Sequence, residues 1–174
     1  MTRFSVTPLV VLALGSLAVT VPAQEQPTPA LQADARRAIV AWLQCDECTE
    51  GELEAVVRLG QLAVPSLSAT LRQGPPASTR EAHRLHLIES FNGMQAHAKT
   101  HPESRVAMTE QQYVGRYLSN LDALYRSRAA EALSQIGGPQ AEQALADATN
   151  LDVREDVRET IRRNLEALRA RMRR

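Results

Sequence analysis

The sequence predicts an all-α protein. Apolar residues make up 44% of the 174-residue chain and aromatic residues only 3%. The apolar residues are mainly Ala and Leu, and they recur at steps of three and four, which is the spacing of an amphipathic helix. Runs of Val and Ile typical of strands are few. These features favour a folded helical protein over a sheet or a disordered chain.

The charge balance limits the partners that the protein is expected to bind. There are 20 Lys and Arg residues against 20 Asp and Glu residues, so the formal net charge is zero. Binding to phosphate backbones rests on an excess of positive charge, and the scarcity of aromatic residues leaves few surfaces on which bases could stack. We therefore expect no nucleic-acid partner.

The first 23 residues are typical of a secretory signal peptide. Arg3 precedes an apolar run over residues 9–19, and small residues occupy the positions before a predicted cleavage after Ala23. The run is short for a membrane span, although an uncleaved anchor is the alternative. We expect a periplasmic or secreted protein with no stable membrane span after cleavage.

The remaining chain is expected to form one domain. Residues 24–30 contain two prolines and are predicted to be a flexible leader. Residues 31–174 are predicted to be a helical-repeat domain, and about 150 residues suffice for one domain with its own core.

The first part of this domain predicts a helix followed by a helical hairpin. An amphipathic helix is expected over residues 31–44. Thr49 then begins the next helix, with Glu52 placed to complete a capping box. That helix turns at Gly60, and a further helix begins at Val64-Pro65, because proline is tolerated in the first helical turn.

Two long helices are expected in the middle of the chain. The first extends from Ser78 to about His101, with an interruption at Asn92-Gly93. The second begins near Thr109, with Gln112 as its capping partner.

Shorter helices are expected towards the end. One covers residues 129–136 and ends at Gly137-Gly138, and another extends from Pro139 to Ala148. The last helix is expected to be capped by residues 150–152 and to bury an apolar face that includes Met172. This interpretation gives seven to nine helices.

Two hairpins share a pattern at their inter-helix turns. The sequence Leu59-Gly60-x-x-Ala63-Val64-Pro65 is matched by Ile136-Gly137-Gly138-Pro139, which follows Arg128-Ala129-Ala130-x-Ala132-Leu133. The two apolar-Gly pairs are 77 positions apart, close to two repeats of roughly 40 residues.

These residues resemble the HEAT-repeat family, in the short bacterial form shared with phycobilisome-lyase-like helical repeats. The resemblance covers residues 50–74 and 126–162, about half of the chain after the signal peptide. It implies a right-handed stack of antiparallel helical hairpins, an α-solenoid, with a scaffolding or protein-binding role. Chromophore-lyase activity is not implied, because the repeat residues supply no bilin site.

Cys45 and Cys48 are the sharpest local signal. In an oxidising compartment we expect them to form a disulfide. A redox pair is the first alternative, although the acidic residues beside the cysteines would raise their thiol pKa values. A zinc site completed by His83 and His86 is the second. Haem attachment would require a His where Thr49 stands.

The four histidines lie within 19 residues and share one side of the predicted long helix. We therefore predict a candidate binding face formed by His83, Arg84, His86, Ser90, Met94, His97 and His101. Each end pair could hold a weakly bound transition-metal ion, or the histidines could respond to pH near 6.5. A plain solvated polar face is the remaining interpretation, and we assign no metal site and no cofactor.

Charge is unevenly distributed along the chain. Residues 24–60 carry 7 acidic and 3 basic side chains, whereas residues 153–174 carry 4 and 8. Interleaved Glu residues make a salt-bridged face the preferred interpretation of the last helix, over a phosphate-binding face. End-to-end self-association is a possible consequence of this polarity.

No catalytic motif accompanies these features. The chain has no nucleophile elbow, phosphate-binding glycine loop or metalloprotease His-Glu pair. We therefore expect a non-enzymatic, exported HEAT-like scaffold that binds a protein partner. The alternative is a metal- or pH-responsive sensor that uses His83, His86, His97 and His101.

Overall fold

The computed structural model describes residues 28–174, and this part of the chain contains seven α-helices and no strand. The predicted all-α class is confirmed. The predicted signal peptide and most of the predicted leader lie outside the described residues. The helices are α1 (Pro29–Gln44), α2 (Glu50–Arg58), α3 (Val64–Gln73), α4 (Ala77–Ala98), α5 (Glu110–Ile136), α6 (Pro139–Ala148) and α7 (Glu155–Met172), and 3₁₀ helices occupy Gly60–Leu62 and Pro102–Ser104.

Threonine caps explain where three of these helices begin. Thr28 accepts a hydrogen bond from the Leu31 amide at 3.3 Å, so α1 begins at Pro29 and includes the last two residues of the predicted leader. Thr49 and Thr109 form the two predicted capping boxes of α2 and α5. The sequence therefore predicted these two helix starts correctly.

Three predicted helix limits are wrong. α4 continues through Asn92-Gly93, because a single glycine costs a helix little and Gly93 keeps a negative φ. The helix predicted over residues 129–136 is the end of α5, since no helix-breaking residue precedes it. Residues 150–152 do not cap α7, which begins at Glu155 after Arg154.

The core forms around the second half of α5. That helix contacts α1, α2, α3, α4, α6 and α7. Small side chains at Ala129, Ala130 and Ala132 are fully buried there, which lets neighbouring helices approach closely. α5 is thus the common packing partner of the domain, and its C-terminal half carries the buried side chains.

The two turns that share a sequence pattern lie beside each other. The Gln61 side chain donates a hydrogen bond to the Gly137 carbonyl at 3.0 Å. Gly60, Gly137 and Gly138 all have positive φ values, of 55°, 74° and 84°, which non-glycine residues rarely adopt. The hairpin α2–α3 is therefore a direct neighbour of the hairpin made by the end of α5 and α6, and the expected two-repeat separation does not hold in space.

The chain between these hairpins forms an antiparallel pair of helices. Arg80 near the start of α4 bonds Asp122 at 2.6 Å, and the Phe91 ring near its other end lies 5.6 Å from the Tyr113 ring. We call residues 77–122 the α4–α5 hairpin and the rest of the described domain the packed body. The hairpin buries only Leu87 and Phe91.

The surface includes side chains that the sequence pattern placed inside. Met172 is 49% exposed, contrary to the predicted burial, because it occupies the last residue of α7 and extends beyond the packed face. Leu31, in the first turn of α1, is also exposed. Among the described helices, none has the length and apolar character needed to cross a membrane.

Candidate functional site

A groove of about 500 Å³ lies where α1, α4 and α5 meet. This volume is in the range of typical ligand sites. Its lining combines apolar and polar side chains from Leu43, Gln44, Asp46, Thr79, His83, Tyr117, Asn120, Leu121, Leu124 and Tyr125. We call it the α1–α4–α5 groove. The groove lies between the packed body and the α4–α5 hairpin.

Reciprocal hydrogen bonds hold the α1 side of the groove. The Trp42 indole donates to the Arg128 carbonyl, and the Arg128 guanidinium donates to the Leu43 carbonyl, both at 3.0 Å. The same guanidinium lies 5.8 Å from the Trp42 ring centroid. Burial lowers the pKa of Arg128, and the Asp46 carboxylate opposes that shift. The end of α1 is therefore fixed to α5.

The two cysteines lie at the end of α1, beside the α1 side of the groove. Cys45 caps the end of α1, and its sulfur lies at disulfide-bonding distance from that of Cys48, with the two Cα atoms 5.2 Å apart. The predicted pairing geometry is confirmed. Asp46, between the two cysteines, is exposed and lines the groove.

The α5 wall supplies most of the apolar surface. Tyr117 and Leu124 are 41% and 40% exposed, whereas Tyr125 is 2% exposed. The Tyr125 hydroxyl is buried and has no hydrogen-bond partner among the described residues. The helical spacing of Tyr117, Leu124 and Tyr125 in the sequence puts all three on one broad side of α5. Residues 117, 121 and 124 follow one another at steps of four and three and form a narrower stripe within that side. This stripe is the sequence signal that could have distinguished the exposed Tyr117 and Leu124 from the buried Tyr125.

The structure divides the predicted binding face. His83 is half-buried and lines the groove, while His86 is exposed on the same helix. Ser90 and Met94 are half-buried. These residues share α4 but only His83 belongs to the groove.

Arg84, on the flank of the predicted face, is engaged by its own helix. Its guanidinium makes two hydrogen bonds to the Glu81 carboxylate, at 2.8 and 2.7 Å. These bonds lower the pKa of Glu81 and raise that of Arg84. Arg84 is therefore held in an ion pair along α4.

The last two histidines form a separate pair. The His97 and His101 rings stack with centroids 4.1 Å apart, although His101 lies beyond the end of α4. The Thr100 hydroxyl lies 2.9 Å from His101 Nδ1. Within residues 28–174 there is no group of three or more His, Cys, Asp or Glu side chains that could hold a metal ion.

A charged cluster holds helices together beside the groove, where Arg80 and Asp122 line a separate cavity. Asp122 accepts hydrogen bonds from Arg80 at 2.6 Å and from Arg126 at 2.7 Å. Arg126 also donates to the carbonyls of Leu71 and Arg72 at the end of α3. This cluster connects α3, α4 and α5, and sequence reasoning missed it because Arg80 and the end of α3 are distant in the chain from the Asp122–Arg126 pair.

Arg154 extends the same connection to α7. Its guanidinium donates to Asn120 at 2.7 Å and pairs with Asp156. The hydrogen bond from Arg154 is the main cause of the lowered pKa of Asp156, and its counterpart raises the pKa of Arg154. Asn120 therefore links the groove lining to the start of α7.

Comparison of the chain with protein-family models, curated proteins and solved structures gives no match in any of the three.

Proposed function

We propose that this protein is an exported, non-catalytic scaffold that binds a protein partner through the α1–α4–α5 groove. The observation that carries the proposal is the exposure of Tyr117 and Leu124 on a groove wall whose neighbour, Leu43, is buried in the core. Exposed apolar side chains rimmed by polar ones are typical of protein-binding surfaces. The expected signal peptide places this binding in the periplasm or outside the cell.

The proposed architecture is a short HEAT-like stack in which an additional pair of helices is inserted. The α2–α3 hairpin and the hairpin of α5 and α6 would be neighbouring units of a right-handed stack. The contact between Gln61 and Gly137 supports this assignment, because equivalent turns of stacked repeats lie side by side. Residues 77–122 would then be an insertion that carries one wall of the groove.

Loss of partner capture tests the proposed role of the groove. The chain is expressed in its native cells with a proximity-labelling tag, as wild type and as Leu124→Asp. Leu85→Asp is the matched control, because Leu85 is 55% exposed on α4 and does not line the groove. We expect Leu124→Asp to lose partners that wild type and the control both label. Equal labelling by all three would contradict the proposal.

A second candidate is metal- or pH-responsive sensing by the histidines. The pairing of His97 with His101 favours it, since rotation of one stacked ring would bring nitrogens of both imidazoles towards one transition-metal ion. Calorimetric titration with zinc, copper and nickel at two pH values tests it. Stoichiometric heat that His97→Ala abolishes and His86→Ala preserves would support this function, and weak non-stoichiometric heat would oppose it.

A further inference from the structure

The end of α7 presents an exposed apolar side chain beside a positive charge that has no partner among the described residues. Met172 is 49% exposed. Arg169 is bound to Glu142, and Arg171 to the Ser134 carbonyl. Within residues 28–174, the guanidinium group of Arg173 has no hydrogen bond or ion pair. This segment therefore offers an apolar anchor next to an available cation.

The α1–α4–α5 groove has the complementary character. Asp46 on its rim is exposed and forms no ion pair in the described part of the chain. Asp46 interacts electrostatically with Arg128. The Arg128 guanidinium, however, already donates a hydrogen bond to the Leu43 carbonyl. Tyr117 provides an exposed aromatic ring, on which a methionine sulfur packs favourably.

The apolar part of the groove lining favours an uncharged occupant. Leu121, Leu124 and Tyr125 line it, and the Tyr125 hydroxyl is buried out of reach of a ligand. A methionine sulfur is a weak acceptor and can enter an apolar site without the desolvation that a charged group requires. The groove lining therefore suits a methionine better than a charged side chain.

On the basis of the proposed function, we propose that the partner seated in the groove is a second copy of this chain. Met172 of one molecule enters the groove of the next, and Arg173 pairs with Asp46 there. Residues 24–60 carry an excess of acidic side chains and residues 153–174 an excess of basic ones. The attraction between these two segments of different molecules favours the same contact at longer range.

The positions of the two surfaces require a contact between molecules. Arg171 holds the end of α7 beside Ser134, and Ser134 lies 9 residues after Tyr125, the nearest groove residue on α5. At 1.5 Å per residue these two positions are roughly 14 Å apart along the helix axis, and no described residue of α7 lines the groove. The end of α7 therefore does not reach the groove of its own molecule. Contact between two different surfaces produces a head-to-tail assembly, closed or open.

Charge exchange tests this assembly directly. The chain from residue 24 is sedimented over a wide concentration range, and its mass is expected to rise with concentration and to fall when salt is added. Asp46→Arg and Arg173→Asp should each weaken association about tenfold or more, since each places like charges together. The double variant should restore it. Glu89→Arg and Arg163→Asp make the same charge changes on α4 and mid-α7 and should have no effect.

A second measurement locates the contact independently of charge. A photo-reactive residue placed at position 172 should crosslink between molecules to peptides containing residues 43–46 or 117–125. A monomer at every concentration, or crosslinks confined to other regions, would overturn the inference. If the chain stays monomeric while Leu124→Asp still loses labelled partners, the inference fails and the proposed function stands. If Leu124→Asp changes neither association nor labelling, both fail.

Discussion

The two halves of α5 differ in burial although they belong to one uninterrupted helix. Between residues 110 and 122 no side chain is buried, whereas the following 14 residues bury seven. These are Ala123, Tyr125, Ala129, Ala130, Ala132, Leu133 and Ser134. In the first half, Tyr113 and Asp122 contact α4. In the second half, Arg128 bonds α1 and Ser134 bonds α7. Local helix formation therefore does not determine how much of a helix is buried.

The difference also separates two tasks within the molecule. In the packed body, Leu67, Leu71, Leu133 and Leu145 have no exposed surface, and such side chains stabilise the fold. The α4–α5 hairpin carries all four histidines and exposes Leu85 and Tyr117. The α4–α5 hairpin thus exposes side chains that a partner could contact, and the packed body contains the buried side chains that stabilise the fold.

Cavity-forming substitutions should have the largest effect and should expose this difference. Leu133→Ala removes a fully buried side chain from the body, and we expect a loss of about 3–5 kcal/mol in the free energy of unfolding. Leu87→Ala on α4 should cost about 2 kcal/mol, since α4 has fewer neighbours. Chemical denaturation measures both, with exposed Leu85→Ala as the control. Equal losses for Leu133→Ala and Leu87→Ala would contradict the division into body and hairpin.

Removing the charged link between hairpin and body should be the next largest change. Asp122→Ala leaves Arg126, whose side chain is 11% exposed, without its carboxylate, and we expect a cost of about 1.5–3 kcal/mol. Asp34→Ala removes an exposed pair with Arg37 and should cost less than about 0.5 kcal/mol. The same denaturation series measures both. Similar losses would show that the link is no stronger than a surface pair.

Gly74→Ala probes the same link through the backbone. A Cβ atom at Gly74 would collide with the Asp122 carboxylate, and the residue has a φ of 76°. We expect it to be destabilising, and partial recovery in the Asp122→Ala background would identify the collision as one cause. Gly93→Ala is the control, because its Cβ would meet nothing within 4 Å, and it should be neutral or slightly stabilising.

The cysteine pair should contribute less to stability. Closing so short a loop stabilises a fold by about 2 kcal/mol in the chain-entropy treatment. We expect the Cys45→Ser, Cys48→Ser double variant to lose up to this amount and to retain its helices. Maleimide should label no thiol in protein from an oxidising compartment under denaturing, non-reducing conditions. Labelling of both cysteines would contradict the disulfide.

The sequence allowed some parts of this architecture to be predicted. Capping boxes are local, so the starts of α2 and α5 could be read from Thr49 and Thr109. The contact between Gln61 and Gly137 depends on residues 76 positions apart, and no local pattern reports it. The groove was missed for the same reason, because its walls come from three helices. Sequence periodicity identified the apolar side of α5 but not which residues its neighbours would cover.

Two buried hydroxyls on α5 test the difference between the packed body and the groove with the smallest expected effect. Ser134 lies in the body and donates to the Asn164 carbonyl at 2.9 Å, whereas the Tyr125 hydroxyl at the groove has no partner in the described chain. We expect Ser134→Ala to cost about 1 kcal/mol, because it removes the side-chain hydrogen bond from α5 to that α7 carbonyl. Tyr125→Phe should be neutral or stabilising by up to about 1 kcal/mol, since it removes an unpaired polar group. Thermal unfolding of the two variants measures the contrast. A loss of stability in Tyr125→Phe equal to that in Ser134→Ala would show that the Tyr125 hydroxyl already has a partner within the free molecule.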